Sequence, residues 1–217
     1  SGLANGTYII NAVFAGDDIK YVGNISNQVI LKVNKIVTSI DVGVVSPVTY
    51  GGVATITVTM DPSINDYVVL NVAGNKLASF NVAQNKALTL LNVNDNKLAS
   101  LDVTKLLSLT ELSCGGNDIS LLNLTKNTVL TTLDCHGNNL TSLDLAKNTA
   151  LTTLDCGENA IANIYLGTEN LTSINCANNA LTSINVALQT KLAEFDCSHN
   201  KLTQLDVTKC TKLATLD

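Results

Sequence analysis

The feature that most constrains this chain is a repeat of about 21 residues, which runs seven times from Tyr67 to Lys212. The clearest unit spans residues 130–150, LTTLDCHGNNLTSLDLAKNTA, and is followed at once by LTTLDCGENAIANIYLGTEN. Self-similarity at this period is typical of stacked-repeat architectures, in which each unit buries its apolar edge against its neighbours. Because such a solenoid presents surface instead of enclosing a pocket, the repeat favours binding over catalysis.

The aligned units share three columns. The fourth position is leucine, isoleucine or phenylalanine, the sixth is valine or cysteine, and the ninth is always asparagine. The ninth-position residues are Asn75, Asn96, Asn117, Asn138, Asn159, Asn179 and Asn200, and the sixth-position residues are Val72, Val93, Cys114, Cys135, Cys156, Cys176 and Cys197. The unit 151–170 is one residue short, a difference that a turn can absorb.

Alternation within the unit predicts short strands on two sides of each coil. In residues 132–136, Leu133 and Cys135 would point inward, because alternate residues of a strand face opposite sides. Thr132, Asp134 and His136 would then point outward. Residues 142–145 repeat this spacing half a period later and predict a second strand on the opposite wall. With strands about 4.8 Å apart, seven coils would rise on the order of 34 Å.

The asparagine column predicts a structural ladder. A side-chain amide offers both donors and an acceptor, and asparagine tolerates the left-handed turn conformation. Stacked inside the turns, these amides can satisfy backbone groups of neighbouring coils that would otherwise be buried unpaired. The alternative is an exposed amide ladder that binds a ligand, and we favour the structural interpretation.

The unit LxxLxCxxNxLxxLDLxKNTx resembles the 21-residue leucine-rich repeats of bacterial surface proteins of the internalin J type. The resemblance covers Tyr67 to Asp217 and implies a mainly β, leucine-rich repeat solenoid in a secreted or wall-attached bacterial protein used in adhesion. It also implies a buried ladder of reduced cysteines, Cys114, Cys135, Cys156, Cys176 and Cys197. This chain departs from the pattern in its first two coils, which carry valine in that column, and it shows no helical N-terminal cap region.

Six cysteines raise the question of a disulfide framework. Five of them fall in one column, which Val72 and Val93 also occupy. The position therefore requires a small apolar group, and a buried free thiol is such a group. Adjacent strands lie within disulfide range, but parallel inward-pointing thiols give poor torsions, and we predict free thiols. No two cysteines have the close spacing of zinc motifs. Cys210 replaces the asparagine of a Lys-Asn-Thr turn and is expected to be partly exposed.

Charge and hydropathy exclude several classes of protein. The chain has 13 basic and 18 acidic residues, and nucleic-acid binding needs a basic patch, of which none appears. There is no apolar run of 18 or more residues and no signal peptide, lipidation box or sorting motif. Ser1 and Gly2 look like a cloning scar, and Asp217 lies five residues into an eighth repeat. We therefore expect a piece of a longer protein.

Residues 1–66 are predicted to form an immunoglobulin-like β region that precedes the solenoid of residues 67–217. Segments 7–14, 28–33, 39–44 and 54–60 are short, alternating and separated by turn residues, as in a β-sandwich. GTYIINAVFAGDDIKYVGNISNQVILKVNK resembles the closing half of a bacterial immunoglobulin-like repeat, and SPVTYGGVATITVTM resembles the opening half of the next. This order indicates either a divided domain or a reduced, permuted sheet. Since open strand edges invite aggregation, we predict that Ile36–Asp66 caps the first coil, Tyr67–Ala87.

Catalytic chemistry finds little support. Asp134 and Asp155 would stand about one strand spacing apart, and paired carboxylates can serve acid–base catalysis or bind calcium. A solvated polar face is the favoured alternative, because catalytic carboxylates usually sit in a pocket that shifts their pKa values. His136 and His199 lie three coils apart, about 14 Å, too far to share one metal ion. We assign no catalytic, cofactor-binding or metal-ligating residue and predict no enzyme.

A long row of polar residues is the candidate binding surface. The ligand-facing wall is assigned to Glu111, Thr132, Asp134, Thr153, Asp155, Tyr165, Asn175, Glu194 and Asp196. Protein hot spots are rich in Trp, Tyr and Arg, yet this chain has no Trp and 4% aromatic residues, so affinity per site is expected to be weak. Tyr165 is the aromatic residue of this wall and a candidate contact residue. The favoured alternative is that it merely replaces the usual aspartate.

These features predict a non-enzymatic interaction or adhesion module outside the cell or on a bacterial surface. Its partner would be a host or surface protein or a glycan, without nucleic acid or membrane insertion, and the chain itself is expected to be a monomer. The alternative is a passive stalk or spacer within a larger surface protein.

Overall fold

The computed structural model describes residues 6–10, 29–33, 40–44, 56–60, 69–167 and 169–217. Within these ranges the regular elements are all strands. In chain order they are β1 (Gly6–Ile10), β2 (Val29–Val33), β3 (Ile40–Val44), β4 (Ile56–Met60), β5 (Val69–Asn71), β6 (Leu90–Asn92), β7 (Glu111–Ser113), β8 (Thr132–Asp134), β9 (Ser142–Asp144), β10 (Thr153–Asp155), β11 (Asn163–Tyr165), β12 (Ser173–Asn175), β13 (Glu194–Asp196) and β14 (Thr215–Leu216). None of the described residues belongs to a helix of sufficient length and apolar character to span a bilayer.

One parallel sheet runs the length of the repeats. Its eight strands follow the order β14-β13-β12-β10-β8-β7-β6-β5, so that each coil adds one strand beside the strand of the coil before it. The register matches the sequence repeat: Leu112, Leu133 and Leu154 lie opposite one another in three successive strands. This arrangement confirms the predicted mainly β solenoid of about seven stacked coils.

A second wall carries the strands predicted half a period later. β9 and β11 form a separate parallel pair in which Asp144 lies opposite Tyr165. Leu143 and Leu145 are buried on the inner side of this wall, whereas Ser142 and Asp144 are exposed. In the described part of the repeats, the other coils pass along this wall without a strand.

The core lies between the two walls. Leu133 and Cys135 are buried from the first wall, and Leu140 and Leu145 close the same coil from the other side. The buried cluster continues from coil to coil, from Leu70 to Cys210. Because no single coil could bury these groups alone, the apolar contacts between coils stabilise the stack.

Each coil turns out of the main sheet through a left-handed backbone position. The φ angle there is 57° at Gly137, 54° at Glu158 and 53° at His199. The corresponding residues of the other coils are Gly74 (69°), Asp95 (54°), Gly116 (61°) and Asn178 (54°). The conformation is the same whether or not the residue is glycine, so the stacking of the coils imposes it. Residues other than glycine are strained in this conformation.

In the short unit 151–170, Gly167 lies against the backbone of the preceding coil. A Cβ on Gly167 would overlap the carbonyl oxygen of Leu145 and the backbone of Ala146 in the preceding coil. The backbone of the short coil therefore approaches its neighbour at Gly167 more closely than a side chain allows.

The four described strands before the repeats form two antiparallel pairs. β1 and β2 are antiparallel, with Gly6 opposite Val33, and β3 and β4 are antiparallel, with Ile40 opposite Met60. Among the described strands, β2 lies beside β5 at the first coil, whereas β3 and β4 contact each other. Much of residues 1–66 lies outside the described ranges, so the immunoglobulin-like assignment and the capping by Ile36–Asp66 stay predictions.

Candidate functional site

The outward face of the main sheet forms a polar wall, defined here as the outward residues of β7, β8, β10, β12 and β13. It has two rows that flank the buried row of leucine, isoleucine and phenylalanine. The first row contains Glu111, Thr132, Thr153, Ser173 and Glu194, and the second contains Ser113, Asp134, Asp155, Asn175 and Asp196. All of these residues are half-buried except Glu194, which is exposed. Eight of the nine residues assigned to the ligand-facing wall therefore share one surface.

Tyr165 does not belong to this surface. The sequence predicts it on the polar wall, but it lies in β11 of the second wall, opposite Asp144. The reason is its position in the unit, because residues 163–165 match the second half of the coil and not the first. Tyr165 is 63% exposed, so it is an accessible aromatic side chain on the other side of the solenoid.

The second row of the polar wall also has a structural role. Asp155 Oδ1 accepts a hydrogen bond from the backbone N–H of Gly157 at 3.0 Å, and Asp196 Oδ1 accepts one from Ser198 at 2.9 Å. Asn175 Oδ1 makes the same contact with Ala177. These Asx turns fix the chain as it leaves the sheet. Either Asp or Asn provides the acceptor, which explains why both residue types occur in this row.

A threonine ladder lies just before the strands. From Thr110 onward, the hydroxyl of each threonine donates to the backbone oxygen of the equivalent threonine in the preceding coil, at 2.9 to 3.1 Å. The residues are Thr89, Thr110, Thr131, Thr152 and Thr172. Their period in the sequence is the signal that could have revealed the ladder, which the outward polar pattern alone did not suggest.

The asparagine column connects the coils on their inner side. Asn138 Nδ2 donates to Cys135 O at 3.1 Å in its own coil and to Cys114 O at 2.9 Å in the preceding one. Its Oδ1 accepts from the backbone N–H of Ile119 at 3.0 Å. Equivalent contacts involve Asn96, Asn117, Asn159, Asn179 and Asn200. These bonds favour the structural interpretation over an exposed ladder.

A second, shorter asparagine column lies at the Lys-Asn-Thr turns. Asn127 Nδ2 donates to Val103 O and Leu106 O at 3.0 and 2.9 Å. Cys210 occupies this column and points its sulfur at Val186 O, 3.6 Å away. The expectation that Cys210 is partly exposed is wrong: it is buried, because its position takes the inward side chain of the turn.

The five cysteines of the sixth column are buried free thiols. Burial raises the pKa of Cys135 and Cys156 well above the usual thiol value, and neighbouring thiols act in the same direction. Burial likewise raises the pKa of Cys176 to about 12. In the folded protein these groups are therefore neutral and unreactive at physiological pH.

Asp134, His136 and Asp155 meet on the polar wall. His136 Nδ1 lies 2.6 Å from Asp134 Oδ1, and one ligand atom from each of the three residues lies within 4.8 Å of the others. The imidazole lies over Gly115 in the preceding coil, where a Cβ would overlap it. Asn94, two coils before Asp134, donates its amide to Asp134 Oδ2 at 3.1 Å.

The surroundings of His136 shift its pKa upward. The hydrogen bond with Asp134 raises the pKa of His136, and the charges of Asp134, Asp155 and Glu158 add to this effect against the opposing influence of partial burial. The sequence pattern predicts Asp134 and Asp155 as neighbours and places His136 and His199 too far apart to share a metal ion. It assigns no metal ligand, whereas the fold brings a carboxylate–imidazole–carboxylate group together. The two-residue spacing of Asp134 and His136, with glycine in the neighbouring coil, was the available signal.

Comparison with solved structures identifies the fold. The functional domain of InlJ from Listeria monocytogenes, described as including a cysteine ladder, is 30% identical with a TM-score of 0.55, over 75% of this chain and 43% of that chain. A leucine-rich repeat protein of Leptospira interrogans is 26% identical with a TM-score of 0.51, over 67% of this chain and 46% of that one. Residues 69–217 have the leucine-rich repeat fold.

A third leucine-rich repeat structure extends the comparison to receptors. The ectodomain of the plant receptor kinase GASSHO1/SCHENGEN3 from Arabidopsis thaliana, in complex with CASPARIAN STRIP INTEGRITY FACTOR 2, is 23% identical with a TM-score of 0.58, over 69% of this chain and 24% of that chain. The present chain spans less than half the length of each of these three structures. No family model and no curated protein matches it.

Proposed function

We propose that this chain is a non-enzymatic interaction module of a bacterial cell-surface protein, whose polar wall binds a protein or a glycan outside the cell. Its similarity to the functional domain of InlJ supports the surface location, and the 21-residue repeat resembles the same group. The plant ectodomain that was solved with a protein factor supports a protein as the partner.

The observation that carries this proposal is the continuity of the polar wall. Successive parallel strands present their outward side chains in register, so a partner can contact several coils at once. The first row changes from Glu111 to Thr132, Thr153, Ser173 and Glu194, although the fold requires only an outward side chain there. Such variation on a regular scaffold is the means by which a repeat surface acquires specificity.

The open setting of the acids supports a role without catalysis. Asp134 and Asp155 lie half-buried on a sheet face, and both also act as Asx-turn acceptors for the backbone. Catalytic carboxylates are usually held in clefts that perturb their pKa values. Binding of a partner across a surface does not require such a cleft.

The experiment uses the 217-residue chain, immobilised and probed with a glycan array and a panel of host extracellular proteins. A ligand found in this way should bind at least tenfold more weakly to a variant of the first row that combines Glu111→Lys, Thr153→Lys and Glu194→Lys. The matched control is Tyr165→Ala with Leu121→Ser, which changes two exposed side chains outside the polar wall. Loss of binding in the control but not in the wall variant would place the ligand on the other side and contradict the proposal.

A passive stalk is the second candidate, and the Asx turns favour it. The second row of the wall stabilises the turns, so its polar side chains are explained without any ligand. If the folded chain binds nothing on the glycan array or in the protein panel, the stalk is favoured over the interaction module.

A further inference from the structure

We propose that Asp134, His136 and Asp155 form a binding site for a divalent transition-metal cation, for which zinc is the reference ion. The site lies on the polar wall where the fourth and fifth coils meet. This inference goes beyond the proposed interaction with a protein or glycan, and it holds or fails independently of any partner.

The first argument is distance. One ligand atom from each residue lies within 4.8 Å of the other two. Zinc binds imidazole nitrogen and carboxylate oxygen at about 2.0–2.2 Å, which places ligand atoms of a tetrahedral site roughly 3.3 Å apart. Small side-chain rotations are therefore sufficient to surround an ion. The ion would take the place of the hydrogen shared by His136 Nδ1 and Asp134 Oδ1.

The second argument is the support that each ligand receives. Asp155 Oδ1 accepts from Gly157 N–H at 3.0 Å, and Asp134 Oδ2 accepts from Asn94 Nδ2 at 3.1 Å. The backbone of Gly115 provides the space in which the His136 ring lies. Metal sites need such outer contacts to orient their ligands, and mutation of these contacts typically weakens binding about 10–100-fold.

The third argument is the type of ligand. One imidazole nitrogen and two carboxylate oxygens suit zinc and related first-row ions, whereas calcium takes six to eight oxygen ligands. Three protein ligands on a half-exposed face leave a position for water. The cysteines are not available as ligands, because Cys135 and Cys156 are buried on the inner side of the same strands.

The chain itself provides matched variants. Asp155→Asn removes a charge but keeps the Asx turn, since Asn175 fills this row in the adjacent strand, in the same register. Gly115→Ala keeps all three ligand residues in the sequence but displaces the imidazole of His136. Ala73 and Ala177 occupy the same position in other coils, so the backbone accepts alanine there. His199→Gln removes the other histidine and is the control.

Binding is measured by isothermal titration of the untagged 217-residue chain with zinc chloride, and separately with calcium chloride. We expect one zinc per chain, at least tenfold weaker binding for Asp155→Asn and Gly115→Ala, and unchanged binding for His199→Gln. Cobalt substitution should give a spectrum without sulfur-to-metal charge transfer, and circular dichroism of the metal-free variants should match the unmodified chain.

Several results would overturn the proposal. The first is absence of zinc binding by the unmodified chain. The second is an affinity of the Asp155→Asn and Gly115→Ala variants equal to that of the unmodified chain, and the third is a cobalt–sulfur absorption that assigns the ion to the thiols. Calcium binding as tight as that of zinc would also contradict it, since the ligand set then would not determine the ion.

Discussion

Glu158 occupies a left-handed backbone position that three other coils fill with glycine, at Gly74, Gly116 and Gly137. For an L-residue this conformation costs roughly 1–2 kcal/mol, whereas glycine adopts it readily. Replacing Glu158 with glycine is therefore expected to raise the free energy of unfolding by about 1 kcal/mol. Urea denaturation followed by circular dichroism measures the change.

The reciprocal substitution at the same column tests the reason. Gly137→Ala should lower the stability by a similar amount, and Glu158→Ala, which keeps a Cβ, should not raise it. A Glu158→Gly variant that is less stable than the unmodified chain would show that the carboxylate contributes more than the strain costs.

Thiol ionisation gives a second prediction at the residue scale. The folded-state pKa of Cys176 is about 12, above its usual value of 9.0, because burial disfavours the thiolate. A raised folded-state pKa contributes stability that is complete below the unfolded-state value and is lost as pH rises through the folded-state value. The chain should thus lose stability steeply above about pH 9, as measured by denaturant unfolding between pH 7 and pH 10.5.

Valine provides the control for this pH dependence. Val72 and Val93 fill the cysteine column in the first two coils and are buried there. A variant with Cys135→Val and Cys156→Val should lose less stability above pH 9 than the unmodified chain does. Identical pH profiles for the two proteins would assign the alkaline loss to other groups.

At the level of the elements, the threonine ladder joins successive coils through side-chain hydroxyl groups. Thr152→Val removes the hydroxyl that donates to Thr131 O at 3.0 Å. A typical hydrogen bond contributes about 0.5–1.5 kcal/mol, and we expect a loss in that range in chemical denaturation. Thr153→Val, on the outward row of β10 and next to Thr152 in the sequence, is the matched control and should change stability less. A larger loss for Thr153→Val would contradict the assignment of the ladder.

For the whole molecule, burial predicts the order in which thiols react. Cys114, Cys135 and Cys156 are fully buried, whereas Cys197 retains 8% exposure. Because stacked coils open locally before the whole stack unfolds, Cys197 should react with a disulfide reagent before the three central thiols. Mass spectrometry of peptides after timed labelling of the native chain gives the order, and equal rates at all four sites would show that the coils open together.

Much of this architecture could be predicted because each coil repeats the same local information. Alternation around Leu133 and Leu143 predicted strands on both walls, and the constant asparagine column predicted a buried amide ladder. Those inferences needed only the period of the repeat and the opposite faces of a strand.

Other features depended on contacts between coils that the pattern of one unit does not contain. Tyr165 was assigned to the wrong wall because its exposure was inferred without its place in the half-period. The position of His136 over Gly115 requires side chains from two coils to be considered together. Cys210 was expected near solvent because it lies in a turn, although the turn directs that side chain inward.

The direction of the asparagine bonds has a consequence for how such a chain can lengthen. Asn138 reaches back to the coil before it, and Asn159 does the same to the coil of Asn138. Each asparagine of this column thus bonds its own coil to the preceding coil, without a contribution from residues farther away. Tandem duplication of a single 21-residue stretch would supply a coil that already contains the asparagine for these bonds. Genes of this kind can therefore gain or lose whole units while the remaining coils keep their contacts.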